Sequence, residues 1–209
     1  MKKTTLLSLF IFCIIIAFPV QTNAASAKKK ALNGYEKILN SSKIRLYISD
    51  SAAYDDYLES KDMSFALAYI DDDSVPEMII RRTDKMEFWP GYDSIIFTWK
   101  NSKVKRLNVK PSGSAYKVTK YYKKTGVFIN HSNFGETMYV KLAKGKTSLE
   151  LSCREGSFTD SGKPEYSNKT RDLSGSEFKL ELKKLVKNKK ASKLKFYKNT
   201  TVNRKKHLK

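Results

Sequence analysis

Cysteine is scarce in this chain, which has two cysteines among 209 residues. Cys13 falls in an N-terminal segment that we expect to be removed, so Cys153 would remain alone and no intramolecular disulfide could form. Cys153 lies in an alternating apolar stretch, where a small buried hydrophobic side chain is favoured over a reactive thiol. The stability of the folded chain must therefore come from packing.

Recognisable catalytic motifs are also missing from the sequence. The two histidines, His131 and His207, belong to no H-E-x-x-H element, and neither a G-x-S-x-G element nor a phosphate-binding Gly-rich loop occurs. We expect His131 to be structural and His207 to lie in a frayed terminus. A carboxylate pair can be assembled by the fold rather than by spacing, so a hydrolase stays open. A non-catalytic protein is the favoured interpretation.

Long hydrophobic runs are limited to the N-terminus. Two lysines precede a nearly unbroken apolar segment from Leu6 to Val20, the pattern of a signal peptide. The run of roughly fifteen residues is shorter than the about twenty needed for a membrane span, and Pro19 interrupts its end. Small residues then favour cleavage after Ala27, with Ala24 as the alternative. We therefore expect no stable membrane span in the mature protein.

The expected organisation follows from this signal. Residues 1–27 are predicted to be the signal peptide, residues 28–198 a single domain, and residues 199–209 a basic C-terminal tail. The mature protein is expected to be secreted or associated with the cell surface.

Acidic residues are few relative to basic ones. The chain has 41 Lys and Arg residues against 21 Asp and Glu residues, a formal net charge of +20. Such a charge attracts polyanions. For an exported protein, an anionic wall polymer or an acidic glycan is the expected partner, and nucleic acid is not the expected physiological partner. The alternative is that a lysine-rich surface only keeps the protein soluble.

The excess of positive charge is greatest near the C-terminus. Ser174 and Glu177 have capping-box spacing, and the apolar residues that follow predict an amphipathic helix with its lysines mostly on the other side. The apolar face is formed by Phe178, Leu182, Leu185 and Val186. The predicted polyanion-binding residues are Lys183, Lys184, Lys187, Lys189, Lys190, Arg204, Lys205 and Lys206.

Hydrophobic periodicity predicts an α+β fold, mainly an antiparallel β-meander with an N-terminal helix and a C-terminal amphipathic helix. The N-terminal helix contains Leu32, Tyr35, Ile38 and Leu39. A short strand over Ile44–Ile48, a helical segment over Ala52–Leu58 and a loop over Gly156–Arg171 are also predicted. Four hairpins account for most of the rest. Their strand pairs are Phe65–Ile70 with Met78–Arg82, Ser94–Lys100 with Lys103–Val109, Tyr116–Tyr122 with Val127–Asn130, and Thr137–Leu142 with Ser148–Cys153.

The most distinctive local feature is an acidic turn, which has four carboxylates within the seven residues 71–77. Asp71, Asp73 and Glu77 offer oxygen ligands of the kind that Ca²⁺ prefers. The turn lacks the central Gly and the distal bidentate Glu of a twelve-residue calcium loop, so no cofactor is our main expectation and Ca²⁺ is the alternative. The competing interpretation is structural: Asp side chains cap backbone amides, and Pro76 directs the chain into the next strand.

The same turn carries a family resemblance. Phe65 to Ile80 resembles the D-x-D-x-x-P-E-L element of uncharacterised exported proteins from low-GC Gram-positive bacteria, with Met78 in the place of Leu. Ile95 to Leu107 is similar to the strand pair that often follows this element, and Tyr197 to Lys206 is similar to the end of such chains. The resemblance implies that the chain is exported and shares the fold of these proteins, and it implies no particular activity.

An aromatic loop provides another candidate site. Phe88, Trp89 and Tyr92 surround a Pro-Gly turn, and such rings can stack on sugars, although packing into the core is favoured. We therefore expect an exported, non-catalytic protein that associates electrostatically with anionic polymers of the envelope or the extracellular space. The alternative is a secreted hydrolase or glycan-binding domain that uses the acidic turn and the aromatic loop.

Overall fold

The computed structural model describes residues 24–45, 57–83, 94–107, 116–132 and 134–209. The fold class is α+β, as predicted. The described helices are α1 (residues 24–39), α2 (Gly175–Leu185) and α3 (Thr201–His207). The strands are β1 (Lys43–Arg45), β2 (Tyr57–Glu59), β3 (Met63–Ala68), β4 (Glu77–Arg82), β5 (Ser94–Lys100), β6 (Lys103–Leu107), β7 (Tyr116–Tyr122), β8 (Val127–Ser132), β9 (Glu136–Ala143), β10 (Lys146–Arg154), β11 (Glu165–Asn168), β12 (Asp172–Leu173), β13 (Ser192–Lys193) and β14 (Tyr197–Lys198).

The strands form two large antiparallel sheets and one small one. A five-stranded sheet has the order β14-β3-β4-β5-β6, a seven-stranded sheet has the order β12-β11-β10-β9-β8-β7-β13, and β1 pairs with β2. Within each large sheet most neighbours are consecutive in sequence, so the predicted meander is present as two separate runs. The turns that join β5 to β6 and β9 to β10 use residues with positive φ, as two-residue hairpins require.

The elements pack in four layers. The inner faces of the two sheets meet in one apolar core, which includes Ile79, Ile96 and Phe128. The outer face of the five-stranded sheet packs against α1, whose buried residues Leu32, Tyr35 and Leu39 share one helical face, as predicted. The outer face of the seven-stranded sheet packs against α2. Each sheet therefore lies between a helix and the other sheet.

Two local predictions are wrong. Tyr57 and Leu58, at the end of the predicted helix Ala52–Leu58, lie in strand β2, where they pair with β1; the rest of that segment lies outside the described residues. The predicted loop Gly156–Arg171 contains strand β11, which pairs with β10. The residues of β11 are exposed or half-buried, so this strand needs no apolar pattern; one of its contacts with β10 is a hydrogen bond of 2.8 Å between the hydroxyls of Ser152 and Ser167.

The last residues of the chain are built into the fold. The segment 199–209, which the sequence predicts to be a basic tail, contains α3. Leu208, which follows this helix, is buried in the core beside α1. Just before it, β13 extends the seven-stranded sheet and β14 extends the five-stranded sheet. The C-terminal segment thereby joins both sheets at one edge. No helix in the described part of the chain has the length and apolar character needed to cross a membrane.

Candidate functional site

The acidic turn between β3 and β4 places one carboxylate inside the protein. Glu77 follows Pro76 and lies on the same face of β4 as Ile79, so its side chain points between the sheets and is 1% exposed. Its Oε2 accepts a hydrogen bond of 2.9 Å from the backbone N–H of Ile70, and its Oε1 accepts one of 3.1 Å from Thr98 Oγ1. Burial, together with the nearby Asp71 carboxylate, raises the pKa of Glu77 to about 8.

The other two candidate ligands, Asp71 and Asp73, stabilise the turn through hydrogen bonds to its backbone. Asp71 Oδ1 accepts a hydrogen bond of 3.1 Å from the backbone N–H of Asp73, and Asp73 Oδ1 accepts one of 2.7 Å from the N–H of Val75. These are side-chain caps of backbone amides, the structural interpretation of the sequence. Burial and the neighbouring Asp73 carboxylate raise the pKa of Asp71.

Asp71, Asp73 and Glu77 are thus each engaged with protein donors. Among the described residues, no group of three or more His, Cys, Asp or Glu side chains is arranged to hold a metal ion. Binding of Ca²⁺ by these three residues stays a prediction.

The acidic turn also joins the two sheets. The carbonyl oxygens of Tyr69 and Ile70 accept hydrogen bonds of 2.9 and 2.8 Å from the backbone N–H groups of Lys124 and Gly126, in the turn between β7 and β8. On its other side, the hydroxyl of Tyr35 on α1 donates a hydrogen bond of 3.0 Å to the carbonyl oxygen of Pro76. These contacts give the turn a structural role at the end of the sandwich.

The predicted polyanion-binding residues fall into two groups. Lys183, Lys184, Lys187, Lys189 and Lys190 are exposed on α2 and just after it. The capping box of Ser174 and Glu177 begins this helix as predicted, and Phe178 is buried on its apolar face. Lys189 Nζ donates a hydrogen bond of 2.9 Å to the carbonyl oxygen of Lys123, which ties the end of this group to the turn between β7 and β8.

The second predicted group lies on α3. Lys205 and Lys206 are exposed, and Arg204 is half-buried, with Nη1 donating a hydrogen bond of 2.8 Å to Asn199 Oδ1. Because α3 ends at the core beside α1 and α2 covers the other sheet, these cations lie on the opposite outer layer from the α2 lysines. The eight predicted residues therefore do not form one continuous patch.

A third group of lysines was not singled out from the sequence. Lys100, Lys103 and Lys105 lie on β5 and β6, and Lys103 is paired directly with Lys100 across the hairpin turn. The signal that could have found them is the register of a two-residue hairpin, which places these lysines on one face of the sheet.

The remaining candidate side chains have structural surroundings. His131 Nδ1 lies 2.8 Å from Thr137 Oγ1, and burial together with Lys120 lowers the pKa of His131. Burial raises the pKa of the half-buried Cys153 thiol, which keeps it protonated. His207 stacks on Tyr197 with ring centroids 3.7 Å apart, so it is held in place at the end of α3.

The aromatic loop cannot be placed, because Phe88, Trp89 and Tyr92 lie outside the described residues. No protein-family model, curated protein or solved structure matches the chain. The resemblance to exported proteins of low-GC Gram-positive bacteria therefore stays a prediction.

Proposed function

We propose that this chain is an exported, non-catalytic protein that binds anionic polymers of the cell envelope or the extracellular space through its lysines. The observation that carries the proposal is uncompensated positive charge. The net charge is +20, and the ion pairs between described residues include Lys61 with Glu59, Lys169 with Glu150, and Arg171 with Glu177. The exposed lysines of α2 take part in none of these pairs.

Uncompensated lysines support binding to a polyanion in a simple way. Each cation near an anionic surface contributes on the order of 1 kcal/mol. The attraction falls off over about 10 Å at 0.1 M salt, so binding must weaken steeply as salt is added. The packing of α2 leaves its lysines free for such contacts, since its apolar face is covered by the seven-stranded sheet.

Retention on an anionic matrix tests this proposal. The mature protein is applied to heparin-agarose, to purified bacterial cell walls and to unmodified agarose as a control, at about 50 mM salt, and is eluted with a salt gradient. We expect retention on both anionic materials and none on unmodified agarose. Passage through both anionic materials at low salt would contradict the proposal.

We propose further that export removes residues 1–27. Ala27 is half-buried and packs against the core beside α1, so cleavage after Ala24 would keep this contact and cleavage after Ala27 would lose it. N-terminal sequencing of protein recovered from the medium or from the cell surface distinguishes the two positions. Recovery of the full chain only from the cytoplasm would contradict export.

A further inference from the structure

One face of the β5–β6 hairpin begins in the core between the sheets and ends in lysines. Ile96 and Leu107 are paired across this hairpin, and both are buried in the inter-sheet core. Residues paired across antiparallel strands share a face, as do alternate residues along a strand. The remaining members of the same face are Thr98 with Lys105, and Lys100 with Lys103. We call Lys100, Lys103 and Lys105 the lysine edge.

The opposite sheet leaves the lysine edge open. Lys103 and Lys105 are exposed, although Leu107 on the same face is buried. On β10, Leu149 is paired with the buried Val140 and faces the same inter-sheet space, yet it is 43% exposed. The sheets therefore do not close over this edge, and on β10 an apolar side chain of the inter-sheet face is left partly uncovered.

The turn between β9 and β10 adds charge beside the lysine edge. Gly145 lies against Lys100, since a Cβ on Gly145 would be 3.4 Å from Lys100 Cγ. The residues on either side of it, Lys144 and Lys146, are both exposed. Residues 94–107 and 139–149 contain no Asp or Glu, and none of these lysines takes part in the ion pairs between described residues. Two acidic side chains lie close to this surface, and both have partners. Glu77 of β4 is buried and accepts a hydrogen bond from Thr98, the residue paired with Lys105. Glu150, next to Leu149, forms an ion pair with Lys169.

The residue types at the lysine edge favour one ligand chemistry. A lysine ammonium is a compact charge with three donors, which suits a tetrahedral phosphate, whereas a planar carboxylate gains most from the fork of an arginine. Arg106 of the same hairpin lies on the other face, and its guanidinium donates a hydrogen bond to the carbonyl oxygen of Arg45. Lys103 and Lys105 are about 6.6 Å apart along the strand, so they can contact successive phosphates of an extended chain.

The aromatic residues of β5 argue against a nucleic-acid ligand. Sites for single-stranded nucleic acid combine cations with aromatic rings on which bases stack. Phe97 and Trp99 belong to the core beside α1, on the opposite face of β5 from the lysine edge. The exposed apolar side chain on the inter-sheet face of β10, Leu149, is aliphatic, which suits the carbon skeleton of a polyol rather than a base.

We propose that the lysine edge binds a polyol-phosphate polymer, with successive phosphates on Lys100, Lys103 and Lys105 and the polyol carbons beside Leu149. This proposal rests on the proposed function and adds a location and a ligand class to it. It differs from the sequence prediction, which placed the contact on α2 and the C-terminal segment.

The test compares three charge-matched triple variants of the mature protein. K100Q/K103Q/K105Q removes the lysine edge, K183Q/K184Q/K187Q removes the predicted α2 group, and K29Q/K30Q/K37Q removes three exposed lysines of α1 as the control. The probe is fluorescently labelled poly(glycerol phosphate), titrated at about 50 mM and about 150 mM salt. Thermal unfolding checks that each variant is folded, and the double variant K103Q/K105Q replaces the first triple if Lys100, which is half-buried, proves necessary for folding.

The lysine-edge variant should bind the probe at least about tenfold more weakly, whereas the α1 control stays within about threefold of the wild type. Its plot of log K against log salt should be shallower by about two, since about 0.7 is lost per phosphate contact. An equal loss in the α1 control, or a larger loss in the α2 variant with the lysine edge unaffected, would overturn the proposed location while leaving the proposed function intact.

A comparison of three polyanions tests the proposed class of ligand. Polygalacturonate, which carries carboxylates, and an oligothymidylate of matched charge are titrated against the wild type. Tighter binding to either than to poly(glycerol phosphate) would overturn the polyol-phosphate class. Absence of binding to all three polymers at about 50 mM salt would instead contradict the proposed function itself.

Discussion

The side-chain amide of Asn199 donates a hydrogen bond of 2.8 Å to the carbonyl oxygen of Leu39, so the C-terminal segment closes on the end of helix α1. The same amide donates to Ser60 Oγ at 3.0 Å, and the backbone N–H of Asn199 donates to the carbonyl oxygen of Met63 at 2.9 Å. Carbonyl groups at a helix end need such partners. The last eleven residues are therefore part of the folded unit.

Substitution of Leu208 measures how much the docking of the C-terminal segment contributes to the stability of the protein. Leu208 is 4% exposed in the core beside α1, so Leu208→Ala should lower the free energy of unfolding by about 2–4 kcal/mol. Val202, on α3, is 73% exposed, and Val202→Ala should change the free energy of unfolding by less than about 0.5 kcal/mol. Urea unfolding of both variants checks the difference. Equal, small effects would mean that the segment is a loosely held tail.

Glu77 should make stability depend on pH. Its pKa is about 8 in the folded protein against an ordinary value of 4.5, so its contribution is fully present below pH 4.5 and is lost as pH rises through 8. The folded wild type should thus lose stability across this window relative to Glu77→Gln, which does not titrate and can still pair with Ile70 and Thr98.

Urea unfolding at about pH 5 and about pH 8.5 measures this effect. The difference in unfolding free energy between wild type and Glu77→Gln should shift toward the variant at the higher pH. Glu165→Gln, at an exposed position on β11, is the control and should show no such shift. A difference that is the same at both pH values would show that Glu77 has a similar pKa in the folded and unfolded chains.

Local signals explain which parts of the fold were predictable. The hairpin between β5 and β6 was predictable because Asn101 and Ser102 separate two strand segments that are adjacent in the sequence. Helix α2 was predicted because its capping box and apolar face lie within one short segment. The pairing of β14 with β3 joins Tyr197 to Phe65, and no local pattern encodes contacts between such distant parts of the chain.

The candidate sites also differ in how far local sequence signals could predict them. The acidic turn was visible in the sequence, but the burial of Glu77 depends on Thr98 from another strand and on the packing of the second sheet. The lysine edge has no comparable signal in the sequence, because the C-terminal lysines dominate the charge along the chain. Lys100 and Lys105 become neighbours of Lys103 on one open face only when the register of the hairpin is applied.

The N-cap of α2 should contribute measurably to stability. Ser174 Oγ accepts a hydrogen bond of 3.2 Å from the backbone N–H of Glu177, whose carboxylate in turn accepts one of 2.8 Å from the N–H of Ser174. Ser174→Ala should cost about 1 kcal/mol, whereas Ser174→Asn keeps a capping oxygen and should cost a few tenths at most. Thermal unfolding of the pair tests this expectation, and equal costs would argue against a role for the cap.

Gly126 should be the glycine least tolerant of substitution at the junction of the sheets. Its φ is +82°, its backbone N–H donates to the carbonyl oxygen of Ile70, and a Cβ would lie 2.6 Å from the carbonyl oxygen of Leu142. Gly162 also has a positive φ, +66°, but a Cβ there would meet nothing within 4 Å. The two positions therefore share the cost of a left-handed conformation and differ in the steric clash.

Gly162→Ala should cost about 1–2 kcal/mol, because only the backbone conformation is unfavourable. Gly126→Ala should cost a further 1–3 kcal/mol or so, because Leu142 must move and the contact with the acidic turn must loosen. Urea unfolding gives both values, and hydrogen exchange at the backbone amide of position 126, in the wild type and in the variant, reports the contact directly. If the two variants lost equal stability, the close approach of Gly126 to Leu142 would not limit the packing of this turn, and the joint between the two sheets would be more adaptable than its hydrogen bonds indicate.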